Sequence, residues 1–201
     1  MHKDLARDAK QTPALRPPAS TTRVLPGLRL PSGIPRVETL DGLWFSRQMA
    51  YFRDLSPYEY GLRLGGVPGA QNVGWLSLGH PFKIEQPLER DVDALWTHCK
   101  VSIHATRGLH RCEFCLNWTD DRFRVSRNGE SLLLGYSEIR VIGASGQSYA
   151  APSLIYHYVS VHHYRPPDSF LSALRSEPKP PSKEYFEALQ TRQLTWDSTI
   201  R

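Results

Sequence analysis

Leu88, Val92, Leu95, Trp96 and Cys99 recur at spacings of four, three, one and three, the apolar face of one amphipathic helix. Pro87 suits a first helical turn, where its missing N–H costs nothing, so the pattern predicts a helix over 87–99. Past the cysteines the period changes to two. In "RFRVSRNGESLLL" the Asn128-Gly129 pair supplies the positive φ angles of a two-residue hairpin turn, and two strands are expected to meet there. Arg122, Arg124 and Ser126 fall on the outer face of that hairpin, Phe123 and Val125 on the inner one. "NVGWL" (72–76) reads as a short buried strand, and "SEIRVIG" as another, turned by "GASG" into "QSYAA". Pro152 then opens a helix through "SLIYHYVSVHHY", with Leu154, Tyr158 and Val161 along one face. "PPDSFLSALR" and "KEYFEALQTR" are short terminal helices. Such elements assemble as an α+β domain, a small antiparallel sheet of hairpins packed with helices.

Prolines and charge divide the chain. Pro13, Pro17, Pro18, Pro26, Pro31 and Pro35 forbid a regular helix near the start, and the apolar residues between them keep no period. Residues 1–48 are therefore expected to be a flexible, Pro-rich basic arm, and 49–175 the globular α+β domain. Residues 176–201 hold a Pro-rich spacer, "EPKPPSKE", and a C-terminal helix. A natural start at Met49 is an equal alternative to a genuine arm. Residues 1–40 carry seven basic and three acidic side chains, most of the formal charge of +5, so the body is near neutral. That distribution gives the body no electrostatic footprint for nucleic acid by itself.

No run of about 18 apolar residues is present, so no membrane span is expected. Asp4 and Asp8 and the lack of an apolar h-region argue against a targeting peptide. The expected location is the cytoplasm, where three cysteines point to metal or redox chemistry and not to disulfides.

All three cysteines lie in "CKVSIHATRGLHRCEFC", residues 99–115. Cys112-x2-Cys115 has the spacing at which a tight turn brings two thiolates to one ion. Cys99 ends the predicted helix, and His110 stands two residues before Cys112, on the same face if that segment is extended. Cys99, His110, Cys112 and Cys115 are thus the first candidate set for a structural Zn2+. His157 is an alternative to His110 or Cys99, and His162 stands in reserve at H-x4-H from it. Five residues of α-helix turn through about 140°, so both histidines face one ion only if the helix loosens between them. His80 in "GHPF" is a more distant reserve, and Glu113, inside the knuckle, is expected to point to solvent. A thioredoxin-like pair lacks its βαβ surroundings, and the histidine–glutamate element of zinc deaminases is missing.

The blocks "YFRDLSPYEYG", "NVGWL…GHPF", "RGLHRCEFC", "SEIRVIGASGQSYAAPSLIYHYV" and "HYRPPDSF" together resemble a small uncharacterised bacterial protein family, over roughly residues 50–172. The resemblance implies a domain beginning near Met49 and brings no established activity. Three functional expectations follow. The first is a zinc-stabilised interaction module without catalysis, whose partner is another protein, of an accessory or immunity type by analogy. The second is a nucleic-acid binder using the arm and the strand carrying Arg122, Arg124 and Arg127. The third is a zinc enzyme with an open metal position.

Overall fold

The computed structural model describes residues 50–59, 69–106, 108–116 and 118–195. The basic arm and the question of a start at Met49 lie outside the described residues. The fold is α+β, as the change of period from helical to alternating indicates. Strands β1 (Ala70–Asn72), β4 (Glu138–Ile142) and β5 (Ser148–Pro152) form one sheet in the order β1-β5-β4. β4 and β5 pair antiparallel, with Ile139 opposite Ala151 and Val141 opposite Tyr149, whereas β1 adds to β5 in parallel, so this sheet is mixed. Strands β2 (Arg124–Arg127) and β3 (Glu130–Leu133) make a separate hairpin through Asn128 and Gly129, both at positive φ as the Asn-Gly pair requires.

Among the described residues four α-helices complete the domain: α1 (Glu89–Cys99), α2 (Ile155–His162), α3 (Asp168–Arg175) and α4 (Lys183–Thr191). Helix α1 buries Val92, Leu95, Trp96 and Cys99, the spacing that announced it. Leu88 departs from that expectation: it is the N-cap and is 51% exposed, because the helix begins only at Glu89. Pro152 closes β5 instead of opening a helix, so α2 starts at Ile155. That shift puts Ile155, Tyr158 and Val159 in the core and leaves Val161 56% exposed. The strand expected at 72–76 ends at Asn72, because Gly74 takes a positive φ; a Cβ there would meet Ile155 Cδ1 at 2.8 Å.

β4 and β5 are buried along their whole length, which requires cover on both faces. One apolar cluster joins Leu95, Trp96, Val141, Tyr149, Ile155, Tyr158, Phe170 and Leu174. The other joins Tyr58, Trp75, Ile142 and Ala150 with Tyr185 and Leu189 of α4 and with Leu194. In this second cluster Arg140 is fully buried. Its guanidinium donates to Glu138 (2.7 Å), to the Ile139 and Leu194 carbonyls (3.1 and 3.0 Å) and to His104 Nδ1 (2.7 Å). Tyr58 donates to the same carboxylate at 2.8 Å. Burial alone would raise the Glu138 carboxyl, but the guanidinium charge and the hydrogen bonds from Arg140 and Tyr58 hold it below the usual range. At the other end Asp91 of α1 accepts two bonds, at 2.6 and 2.7 Å, from Arg175 of α3. Among the described residues no helix is long and apolar enough to cross a membrane.

Candidate metal centre

Two segments far apart in the chain converge on one point. The first is the loop from Gly108 to Leu116, which carries Cys112 and Cys115. Its entry is pinned where His110 N–H donates to the Gly135 carbonyl at 2.6 Å. Gly135 has φ +83°, and a Cβ on it would lie 2.5 Å from the His110 carbonyl oxygen, so only glycine admits this approach. The Gly135 N–H in turn donates to Ser153 Oγ at 3.0 Å, which ties the hairpin's exit to the start of α2.

The second segment is α2, with His157 in its middle and His162 at its end. His163 follows in the left-handed conformation and donates to the Tyr158 carbonyl, five residues back instead of four. Although both histidines belong to the same α-helix, their side chains reach one point, and the two Nε2 atoms lie 3.1 Å apart.

Cys112 Sγ lies 3.2 Å from His162 Nε2, and Cys115 Sγ lies 3.4 Å from both His157 Nε2 and His162 Nε2. All four donor atoms are within 4.8 Å of one another. A tetrahedron with metal–nitrogen bonds of about 2.0 Å and metal–sulfur bonds of about 2.3 Å has N···N edges of ~3.3 Å and S···N edges of ~3.5 Å. The observed edges sit just inside those lengths, so this Cys2His2 group is sized to hold one small ion.

Electrostatics favour a cation between them. Burial pushes the Cys112 thiol up to about 12, while the backbone N–H groups of Phe114 and Cys115 point at its sulfur and draw it back down. Burial also lowers His157 to about 4, helped by the charges of His162 and Arg122, and lowers His162. Both imidazoles are thus held neutral, the form that ligates, whereas a thiolate needs a positive partner to persist. Aromatic rings close around the group: Trp118 stands edge-on to His157 at 5.0 Å, and Phe114 is 5.5 Å from His162. The Tyr158 hydroxyl and Trp118 Nε1 beside it are buried without a hydrogen-bond partner among the described residues.

Of the first candidate set, the structure brings Cys112 and Cys115 together but not Cys99 or His110. Cys99 is buried on α1, its thiol donating to the Ser153 carbonyl at 3.7 Å, and burial pushes it up to about 12. His110 is exposed and lines a shallow cleft with Trp75, Thr106 and Tyr136. Its backbone bond to Gly135 turns the chain before the knuckle, so the two-residue offset does not carry its ring to the sulfurs. The reserve pair His157 and His162 takes both places. His80 lies elsewhere, stacked on Tyr51 at 3.6 Å. Glu113 does not simply face solvent: its carboxylate accepts from Ser77 Oγ at 2.9 Å and Leu78 N–H at 2.7 Å. No local signal announces that bond, because its partners lie 35 and 36 residues away. Arg122, expected on the strand, lies in a 3-10 turn over Asp120–Phe123 ahead of it and is exposed; Arg124 is exposed on β2, and Arg127 is bound to Glu89 and Asp93 of α1.

These features define a class: an α+β domain with a Cys2His2 group that can hold a metal ion between a knuckle and a helix end. Residues 50–175 match the model of a family described as a domain of unknown function, DUF7919, and the chain belongs to that family. Comparisons with curated proteins and with solved structures return no match.

Proposed function

We propose that the protein is a zinc-stabilised interaction module without catalytic activity, acting on another protein in the cytoplasm. The observation that supports this reading is the Cys112, Cys115, His157, His162 group, whose four donor atoms can fill a tetrahedral shell without leaving a place for water. A hydrolytic zinc keeps a position for water, whereas a structural zinc is closed. Two thiolates with two imidazoles select zinc over harder cations, which prefer oxygen. A reducing compartment keeps both sulfurs available as thiolates. Support for a protein partner comes from apolar side chains left in the open on the knuckle and the end of α2, Leu116 at 99% and Val161 at 56% exposure.

Native mass spectrometry of the full chain should find about one zinc per molecule, with Cys112→Ser lowering both zinc content and melting temperature. A metal-free protein of equal stability overturns the metal reading. Substituted Co2+ should give a tetrahedral thiolate spectrum that cyanide leaves unchanged; a shift on cyanide addition reveals an open position and overturns the non-catalytic reading. Proteins retained by the zinc-loaded chain should be lost when Leu116→Asp and Val161→Asp are combined, and equal retention removes the knuckle as the contact surface.

A further inference from the structure

Between Leu76 and α1 the chain runs for a dozen residues without a helix or a named strand. Of residues 78–86 only Phe82 is even partly buried. Such a segment has little of its own to hold it, so its position depends on where its anchors fall. Apart from the His80 ring, which stacks on Tyr51, those seen fall on the two halves of the metal centre or directly beside them.

On the knuckle side, Glu113, between the two cysteines, accepts from the Ser77 hydroxyl and the Leu78 N–H. Phe114, also between the cysteines, receives Phe82 edge-on at 5.3 Å. On the helix side, Phe82 meets Tyr164 at 5.8 Å. Glu85 N–H donates to the His163 carbonyl at 2.9 Å, and Arg165 N–H donates to the Lys83 carbonyl at 2.8 Å. Ile84 forms the matching bridge to Tyr164, and Arg165 Nε reaches Glu85 at 3.4 Å. The strap therefore spans the seam between residues 113–114 and 163–165, and that seam is what an ion bound to Cys112, Cys115, His157 and His162 would cross-link.

We infer that residues 77–85 are a metal-dependent strap: the ion fixes the seam on which the strap docks, and the docked strap in turn favours the loaded centre. This rests on the metal reading above and adds regulation to it. The docked strap holds Leu78 and Ile84 outward, at 58% and 68% exposure, beside the knuckle. The apolar surface offered to a partner is then complete only in the loaded protein. Without the ion the strap lifts, and Phe114 and Tyr164 lose their cover. Coupling of this kind is reciprocal, since two events that favour each other must do so in both directions.

The test uses the full chain and zinc. Hydrogen exchange read at the Leu78 and Glu85 amides should quicken by roughly tenfold or more when zinc is removed by chelator, while β4 and β5 keep their protection. Equal exchange with and without zinc, at one zinc per chain when loaded, overturns the strap and leaves the metal centre standing. Failure to take up zinc at all overturns the metal centre instead. Should the stripped protein unfold, the reciprocal arm decides: Glu113→Ala and Phe82→Ala, both outside the ligand set, should lose zinc to a competing chelator several-fold to roughly tenfold more readily than wild type. Zinc affinity unchanged in both variants overturns the strap.

Discussion

Replacing Gly135 with alanine separates two costs that this turn carries together. The residue sits at φ +83°, where an L side chain is strained by about 1–2 kcal/mol. The added Cβ would also stand 2.5 Å from the His110 carbonyl oxygen and 3.2 Å from the Phe123 ring, so one of them must move. Moving His110 breaks its 2.6 Å bond to the Gly135 carbonyl, a further loss of about 1 kcal/mol. Gly135→Ala is therefore expected to cost about 2–4 kcal/mol. Gly129→Ala is the control: φ is +80° there too, but nothing lies within 4 Å of its Cβ, so only the conformational term of about 1 kcal/mol applies. Urea unfolding of the two variants measures the difference, and chelator competition reads the knuckle. Gly135→Ala should also release metal more readily, because His110 leads directly into Cys112. If the two variants lose the same stability, or Gly135→Ala keeps wild-type metal affinity, the close approach does not position the knuckle.

Other outcomes follow from the same contacts. Cys99→Ala and His110→Ala should keep their metal, with Cys99→Ala losing about 1 kcal/mol of packing, whereas Cys115→Ser and His162→Ala should lose metal; elemental analysis decides. Glu138→Gln leaves the buried Arg140 guanidinium uncompensated and should cost about 3–5 kcal/mol in denaturant unfolding, partly recovered by adding Arg140→Met; a loss under 1 kcal/mol would mean that the pair carries little. His98 is buried on Tyr185, and burial lowers it from its ordinary 6.5 to about 4. The fold thus binds this proton less readily than the unfolded chain does, so the stability it contributes is complete above pH 6.5 and drains as pH falls toward 4. Between pH 7.5 and 5 the metal-saturated wild type should lose about 2 kcal/mol more than His98→Asn, and parallel pH profiles would refute the assignment.

Which parts of this were legible in the sequence follows from the range of the forces involved. The Asn128-Gly129 turn, the apolar face of α1 and the Cys112-x2-Cys115 pair are local, and each was readable from neighbours in the chain. Leu88 and Val161 were misplaced because a helical period says which residues share a stripe, not where the helix begins. The parallel pairing of β1 with β5 joins residues nearly eighty positions apart and leaves no local mark. The ligand set was half legible. Helical spacing alone sets His157 and His162 about 140° apart, and only the fold shows their two Nε2 atoms meeting at 3.1 Å. Cys99 looked like a ligand because it is a cysteine near others; only the fold shows its thiol spent on Ser153.

Arg140 also has something to say about where this domain stops. The family match ends at residue 175, yet the guanidinium takes the Leu194 carbonyl, and Tyr185 of α4 donates to the Arg140 carbonyl at 2.8 Å. A fragment cut at the family boundary would open Ile142 and Ala150 to water and leave a cation facing an unfilled place. The recognisable unit and the packed unit differ here by one helix, and a gene trimmed to the first is expected to yield a less soluble product than the full chain.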